Sequence, residues 1–220
     1  MNVREPHEAY SYSSLYYYDE SFSMLGKRQG QFTIDDCLAL PDGVRMELID
    51  GILYDIASPT AVHQTIILQV SLQIMNILDS SDGDCQVFIA PLDVQFEADD
   101  KDTLLQPDLL VVCDKEKYVN ETGRILGAPD MIMEVLSPST RGKDRIIKLN
   151  KYGQKGVKEY WIVDPDNMEI QVYFYKDGFG PKRYTFDERV PISIFSNKVS
   201  VDFARILKLL RGRLGFGSED

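Results

Sequence analysis

The sequence predicts a mixed α/β fold, with a central sheet flanked by helices. Two nearly continuous apolar runs, Leu109 to Cys113 and Met131 to Leu136, have the composition of strands buried on both faces. Before them, Ile66, Ile67, Val70, Ile74, Ile77 and Leu78 follow a helical period. Strand-type and helix-type segments then alternate in the order αββ-α-βββ-α-ββ. The 220 residues, 44% hydrophobic and 27% charged, suit one globular domain with or without an appendage. They exclude wholesale disorder, collagen-like repeats and a disulfide-rich miniprotein.

The elements can be read in order. Residues 1–31 form a separate arm, with Tyr10, Tyr12, Tyr16, Tyr17, Tyr18 and Phe22 among serines, acids and glycines and no period able to build a core. Such a segment suits an arm lying over a domain or partner surface, or else a flexible tail. The domain spans 32–220. Thr33-Ile34-Asp35-Asp36 reads as a capping box opening a short helix through Leu40, and Pro41-Asp42-Gly43 ends it. Arg45 to Tyr54 is two extended runs around Asp50-Gly51, a hairpin signal. Ser58-Pro59-Thr60 starts the periodic helix, which stops at Asp79 to Gly83. Cys85 to Phe96, Leu109 to Cys113 and Met131 to Leu136 read as three strands. A polar helix follows from about Ser139 to Gln154, closed by Lys155-Gly156. Glu159 to Asp164 and Glu169 to Tyr175 pair around Pro165-Asp166-Asn167, and short strands with an amphipathic helix from Asp202 to Arg211 finish the chain.

Charge and cysteine usage narrow the function. A net charge of −11 argues against coating nucleic acid through the average field, while leaving room for a local basic groove. Cys37, Cys85 and Cys113 are scattered, odd in number and without a CxxC pair, which argues against a structural zinc site or a disulfide framework. Two histidines cannot build a multi-histidine zinc site. With no apolar run of ~18 residues and no signal-type segment, a reducing cytoplasmic location away from membranes is expected.

Two acids stand out. Asp108 sits at the mouth of one apolar run and Glu134 inside the other. Each alone has a plain reading, as a cap or as a core ion pair with an arginine, because a buried carboxylate is costly unless paired or metal-bound. Together, on neighbouring strands, they could converge on one hard cation such as Mg²⁺. After Glu134 comes a loop of hydroxyls and cations, Ser137-Pro138-Ser139-Thr140-Arg141-Gly142-Lys143-Asp144-Arg145. It could hold phosphate, or it could be an ordinary helix cap with solvated charges. Asp144 and Lys148 are four apart, so a solvated surface pair is the plain reading of Lys148, and its loss would then leave stability nearly unchanged. His63 shares a helix face with Ile67, Val70 and Ile74 and reads as a core or first-turn histidine.

Several short motifs carry a resemblance. Glu47 to Gly51, Ser58-Pro59 with His63-Gln64, Ala90 to Val94, Gln106-Pro107-Asp108-Leu109, Gly127 to Asp130, Glu134 to Thr140 and Glu159 to Pro165 occur in this order. Over residues 32–175 they resemble the Uma2 family, formerly a domain of unknown function and described as "putative restriction endonuclease", within the PD-(D/E)xK nuclease superfamily. The resemblance implies a restriction-endonuclease-like core and phosphodiester hydrolysis, with double-stranded DNA as the expected substrate. Asp108 and Glu134 would hold Mg²⁺, with Mn²⁺ as a substitute. The pattern departs at Leu136, where lysine is usual, and Lys148 on the next helix is the matching replacement. Glu47 and His63 are supporting candidates, and Ser139, Arg141, Lys143 and Arg145 would meet phosphate. A homodimer is expected, since cutting both strands takes two sites or two visits. The competing reading is a catalytically silent nuclease-fold module that binds nucleic acid or protein.

Overall fold

The computed structural model describes residues 26–41, 43–80, 83–117, 121, 123–138, 140–178 and 180–216. The tyrosines expected to form an arm therefore lie outside the described residues, as does Ser139. The chain divides into two compact units, Met1–Ile56 with Lys101–Thr103, and Ala57–Asp100 with Leu104–Asp220.

In the first unit, α1 (Ile34–Leu38) carries the expected capping box, with the Thr33 and Asp36 side chains each serving the other's backbone N–H. Strands β1 (Met46–Ile49) and β2 (Ile52–Asp55) pair antiparallel around Asp50 and Gly51, both at positive φ, the conformation of a tight hairpin. Glycine is required at position 51 for a second reason, since a Cβ there would sit 2.8 Å from the Gly30 carbonyl carbon.

The second unit opens with α2 (Ala61–Asp79), whose cap Thr60 accepts from the His63 N–H. Then come β3 (Gln86–Ile89), β4 (Val94–Gln95), β5 (Leu109–Val112), β6 (Ile125–Leu126) and β7 (Met131–Val135). A π-helical segment, Lys143–Lys148, runs into α3 (Leu149–Gln154). The chain ends with β8 (Glu159–Asp164), β9 (Glu169–Phe174), β10 (Lys182–Thr185), β11 (Arg189–Pro191), β12 (Ser200–Asp202) and α4 (Phe203–Leu214). Six strands form the main sheet in the order β10-β9-β8-β7-β5-β3, in which β7–β8 is the parallel pair and the others are antiparallel. This is the mixed, helix-flanked sheet the sequence predicts.

Strand alternation sorts the side chains. Met131, Met133, Val135, Trp161 and Val163 join Ile66, Ile67, Val70 and Ile74 of α2 and Phe203, Ile206 and Leu210 of α4 in one core. The intervening residues Ile132, Glu134, Tyr160 and Ile162 face the opposite side, where the Tyr152 ring of α3 meets Tyr160 edge-on at 4.9 Å. By length and composition α2 could cross a membrane, but its Ile66, Ile67, Val70 and Ile74 side is committed to the sheet core.

Trp161 is fully buried, and its indole N–H donates to Glu159 Oε1 at 2.7 Å. The Glu159 carboxylate also accepts the backbone N–H groups of Ser193 and Ile194. Burial pushes its carboxyl above the usual range despite these donors. Trp161 is thus a packing residue, and its emission should be blue-shifted and indifferent to added DNA. A red maximum with strong quenching by DNA would contradict this.

Three expectations change. Cys85 and Cys113 are joined by a disulfide, where the scattered, odd-numbered cysteines argued against a disulfide framework. A separation of 28 residues hides the pairing in sequence, but Gln86 faces Val112 across β3 and β5, so the preceding and following cysteines come face to face. The single strand from Cys85 to Phe96 is two, because Pro91 offers no N–H to a ladder and β4 pairs instead with β6, parallel. The polar helix is π-helical over Lys143–Lys148 before it becomes α-helical, a form often found at functional sites.

Candidate active site

Register decides the centre of the site. Leu109 faces Met133 across β5 and β7, so the preceding Asp108 faces Glu134. Asp108 Oδ2 accepts the Val135 N–H at 2.8 Å, and the Asp108 N–H points at Glu134 Oε2 at a long 3.4 Å. The two acids therefore stand side by side at the end of adjacent strands, held by the backbone itself.

The helical segment supplies the rest. Lys148 Nζ lies 2.7 Å from Glu134 Oε1 and 3.5 Å from Asp144 Oδ1, with all three side chains buried. Tyr152, one turn further on, donates to the same Glu134 Oε1 at 2.7 Å. Tyr160 donates to the Asp144 carbonyl at 3.1 Å. Burial first, then the carboxylates of Asp144 and Glu134, push its phenol well above the ordinary range, so this donor keeps its proton. The solvated Asp144–Lys148 pair is thus overturned, as is the expectation that losing Lys148 leaves stability unchanged: the ammonium sits in a buried network.

His63 also belongs here. From the first turn of α2, its Nε2 lies 3.1 Å from Asp108 Oδ2, while Nδ1 is buried without a hydrogen-bond partner. Of the two plain readings, core or first-turn histidine, the first-turn one holds: the helix start brings the imidazole to the strand mouth. Tyr152 escaped the sequence reading, although its spacing of four from Lys148 places both on one helical face. Glu47 is buried on β1 of the first unit, opposite Tyr54, and the cluster described here belongs to the second unit alone.

The arginines expected to meet phosphate are paired with carboxylates in this structure. Arg141 grips Asp164 through two nitrogens, at 2.6 and 3.2 Å, and also reaches Asp166. Arg145 contacts Asp164 at 2.7 Å. Their guanidinium groups tie the helical segment to the end of β8 rather than facing an open loop. Lys143 is buried as well. Burial works to raise the Asp164 carboxyl, but hydrogen bonds from Asn167 and the Arg141 guanidinium outweigh it and hold the group below the usual range. A lowered carboxyl adds stability above its unfolded value, lost as pH falls through the folded one. Asp164→Asn should therefore cost about 1–3 kcal/mol at pH 7 and flatten the stability profile below about pH 4. Parallel acid profiles for the two proteins would refute this.

Among the described residues, no group of three or more His, Cys, Asp and Glu side chains is placed to hold a metal ion. The donor set is a pair of carboxylates. That suits Mg²⁺, which is often bound by one or two carboxylates and completes its shell with water and substrate phosphates, and it does not suit a caged zinc or calcium ion.

The profile of the family "Uma2: Putative restriction endonuclease" matches residues 34–203. Two uncharacterized proteins of Synechocystis sp. are similar in sequence. One, slr1290, is 30% identical over 60% of this chain and 66% of its own length, and the other, sll1609, is 25% identical over 59% and 71%. The chain thus spans just under two thirds of the first relative. A crystal structure titled as a putative nuclease belonging to DUF820 from Anabaena variabilis superposes with a TM-score of 0.66, at 22% identity, over 81% of this chain and 99% of that one. At that identity the likeness shows a shared fold.

Proposed function

The chain belongs to the Uma2 family, and on that premise we propose that it is a Mg²⁺-dependent endonuclease hydrolysing phosphodiester bonds in double-stranded DNA. The observation that supports this best is the Lys148 ammonium, 2.7 Å from the Glu134 carboxylate that faces Asp108 across the sheet. Asp108 and Glu134 would hold the ion, which when bound polarises a phosphate and makes its water more acidic. Lys148 and Tyr152 fix one Glu134 oxygen and leave the other on the Asp108 side. His63 and the Val135 N–H orient Asp108. The buried ammonium offers its charge to the negative phosphorane and can orient the attacking water, contributions that need no rearrangement at the moment of reaction.

A plasmid-nicking assay in Mg²⁺ or Mn²⁺ tests the reading. Wild-type protein should convert supercoiled to open-circle DNA, and Asp108→Ala should not. One observation favours the second reading, a binding module without cleavage: Glu134 Oε1 already has two donors. Intact plasmid at every metal concentration would establish that reading instead.

A homodimer belongs to the same proposal, now supported by surface rather than by the arm. Edge strand β3 (Gln86–Ile89) carries no charge, whereas the opposite edge, β10, carries Lys182 and Arg183, the usual guard against pairing. Leu68, Leu72 and Met75 are exposed on α2, which packs beside β3. A two-fold axis would bring this neutral surface against itself and keep two chains of charge −11 otherwise apart. Light scattering giving 25.1 kDa at micromolar concentration would refute it. A cytoplasmic setting completes the reading. The Cys85–Cys113 bond argues against a reducing setting, so rapid alkylation of cells decides: thiols at both positions would support the cytoplasm, and an intact bond would contradict it.

A further inference from the structure

We propose that the solvent side of α4 is a contact surface for the phosphate backbone of nucleic acid. This rests on the reading of nucleic acid as the substrate, but the observations are separate from the carboxylate cluster. From Phe203 to Phe216 the sequence holds four cations, Arg205, Lys208, Arg211 and Arg213, and no acid, in a chain with 35 acidic and 24 basic residues. All four are exposed, while Phe203, Ile206, Leu207 and Leu210 fill the buried face. Nearly the whole helix lies beyond residue 203, where the family match ends.

Grouping sets these cations apart, since among the described residues Lys101, Lys176 and Lys198 also lack an ion pair but are scattered along the chain. Elsewhere in the chain Lys155, Lys158, Arg141, Arg145, Arg183 and Arg189 are each closed on a carboxylate. Among the described residues, none of the four on α4 has an ion-pair partner. Helix stability does not explain them together. Arg211 and Arg213 in the last turn suit the helix dipole, but Arg205, three residues after cap Asp202, sits at the positive end, where an acid would be preferred. A cation maintained against the dipole and left unpaired in an acidic chain points to an external anion.

The spacing and packing select which anion. Arg205 to Arg213 covers about 12 Å of helix, roughly the rise of three or four nucleotides along one strand. An amphipathic basic helix could also lie on an anionic membrane, but that mode inserts the apolar face, and here that face is in the core. A nucleic-acid backbone reached from the solvent side fits. The mean field of the chain is repulsive, so binding depends on such a local surface.

The test is the salt dependence of binding. Arg205→Gln, Lys208→Gln, Arg211→Gln and Arg213→Gln, combined, replace exposed side chains by a good helix former, and circular dichroism checks that the fold is kept. Anisotropy of a labelled duplex in EDTA, where no cleavage occurs, gives the affinity between 50 and 200 mM salt. If all four meet phosphates, the slope of log K against log salt should become shallower by about 3–4 in the variant. Wild-type protein would then lose roughly a hundredfold more affinity across that range than the variant does. Equal slopes, absent DNA binding by the wild type, or binding to phosphatidylserine vesicles in place of DNA would overturn the inference. Nicking in Mg²⁺, measured separately, keeps the two readings apart. Nicking with equal slopes sinks the α4 surface alone, and α4-dependent binding without nicking sinks the nuclease alone.

Discussion

Lys148→Met should lower DNA cleavage by about 10²–10³-fold, the range seen when one preorganised donor to a developing negative charge is removed. The ammonium is buried against Glu134 and Asp144, so the same change should also cost stability. Removing one partner of a buried ion pair typically costs 3–5 kcal/mol. The two effects must be separated. Activity is therefore read at low temperature on protein shown to be folded, with Lys148→Arg alongside, which keeps a charge but not the point geometry of an ammonium. Undiminished cleavage by folded Lys148→Met, with Asp108→Ala inactive, would mean that something else stabilises the transition state.

Asp108→Ala and Glu134→Ala should each weaken Mg²⁺ or Mn²⁺ binding by at least about a hundredfold in titration calorimetry, beyond the 10–100-fold usual for outer partners of a metal site. Tyr152→Phe should fall in that smaller range, because it removes one hydrogen bond to Glu134 and leaves both carboxylates in place. Glu134→Gln guards against collapse of the buried network, since it keeps the shape while removing the charge. Metal binding unchanged in both alanine variants would remove the pair from the site.

Much of this arrangement was legible before the fold. Asp108 and Glu134 announced themselves as acids in apolar runs, and the cost of burying a carboxylate made their joint placement informative. The family resemblance, which has lysine where this chain has Leu136, pointed onward to Lys148 on the helix that follows. Burial could not be read so well. A spacing of four makes Asp144 and Lys148 neighbours on any helix, solvated or covered, and only the packing of Tyr152 and Tyr160 decides between the two. Arg141 and Arg145 illustrate the same limit: their partner Asp164 lies about twenty residues away, on a strand that is parallel to β7. The Cys85–Cys113 bond was hidden for a related reason, since antiparallel register and not sequence distance brings the sulfurs together. The helical face of His63 allows a core or a first-turn histidine, and only the position of the helix start relative to β5 shows that the first turn carries it to the strand mouth.

A crystal soaked in Mn²⁺ and measured at the manganese absorption edge would show where the ion sits. The account predicts one strong anomalous peak in contact with carboxylate oxygens of both Asp108 and Glu134, with the Lys148 ammonium beside it and no peak in Asp108→Ala crystals. A peak at the Asp164 cluster or elsewhere, or full occupancy in the Asp108→Ala variant, would contradict it.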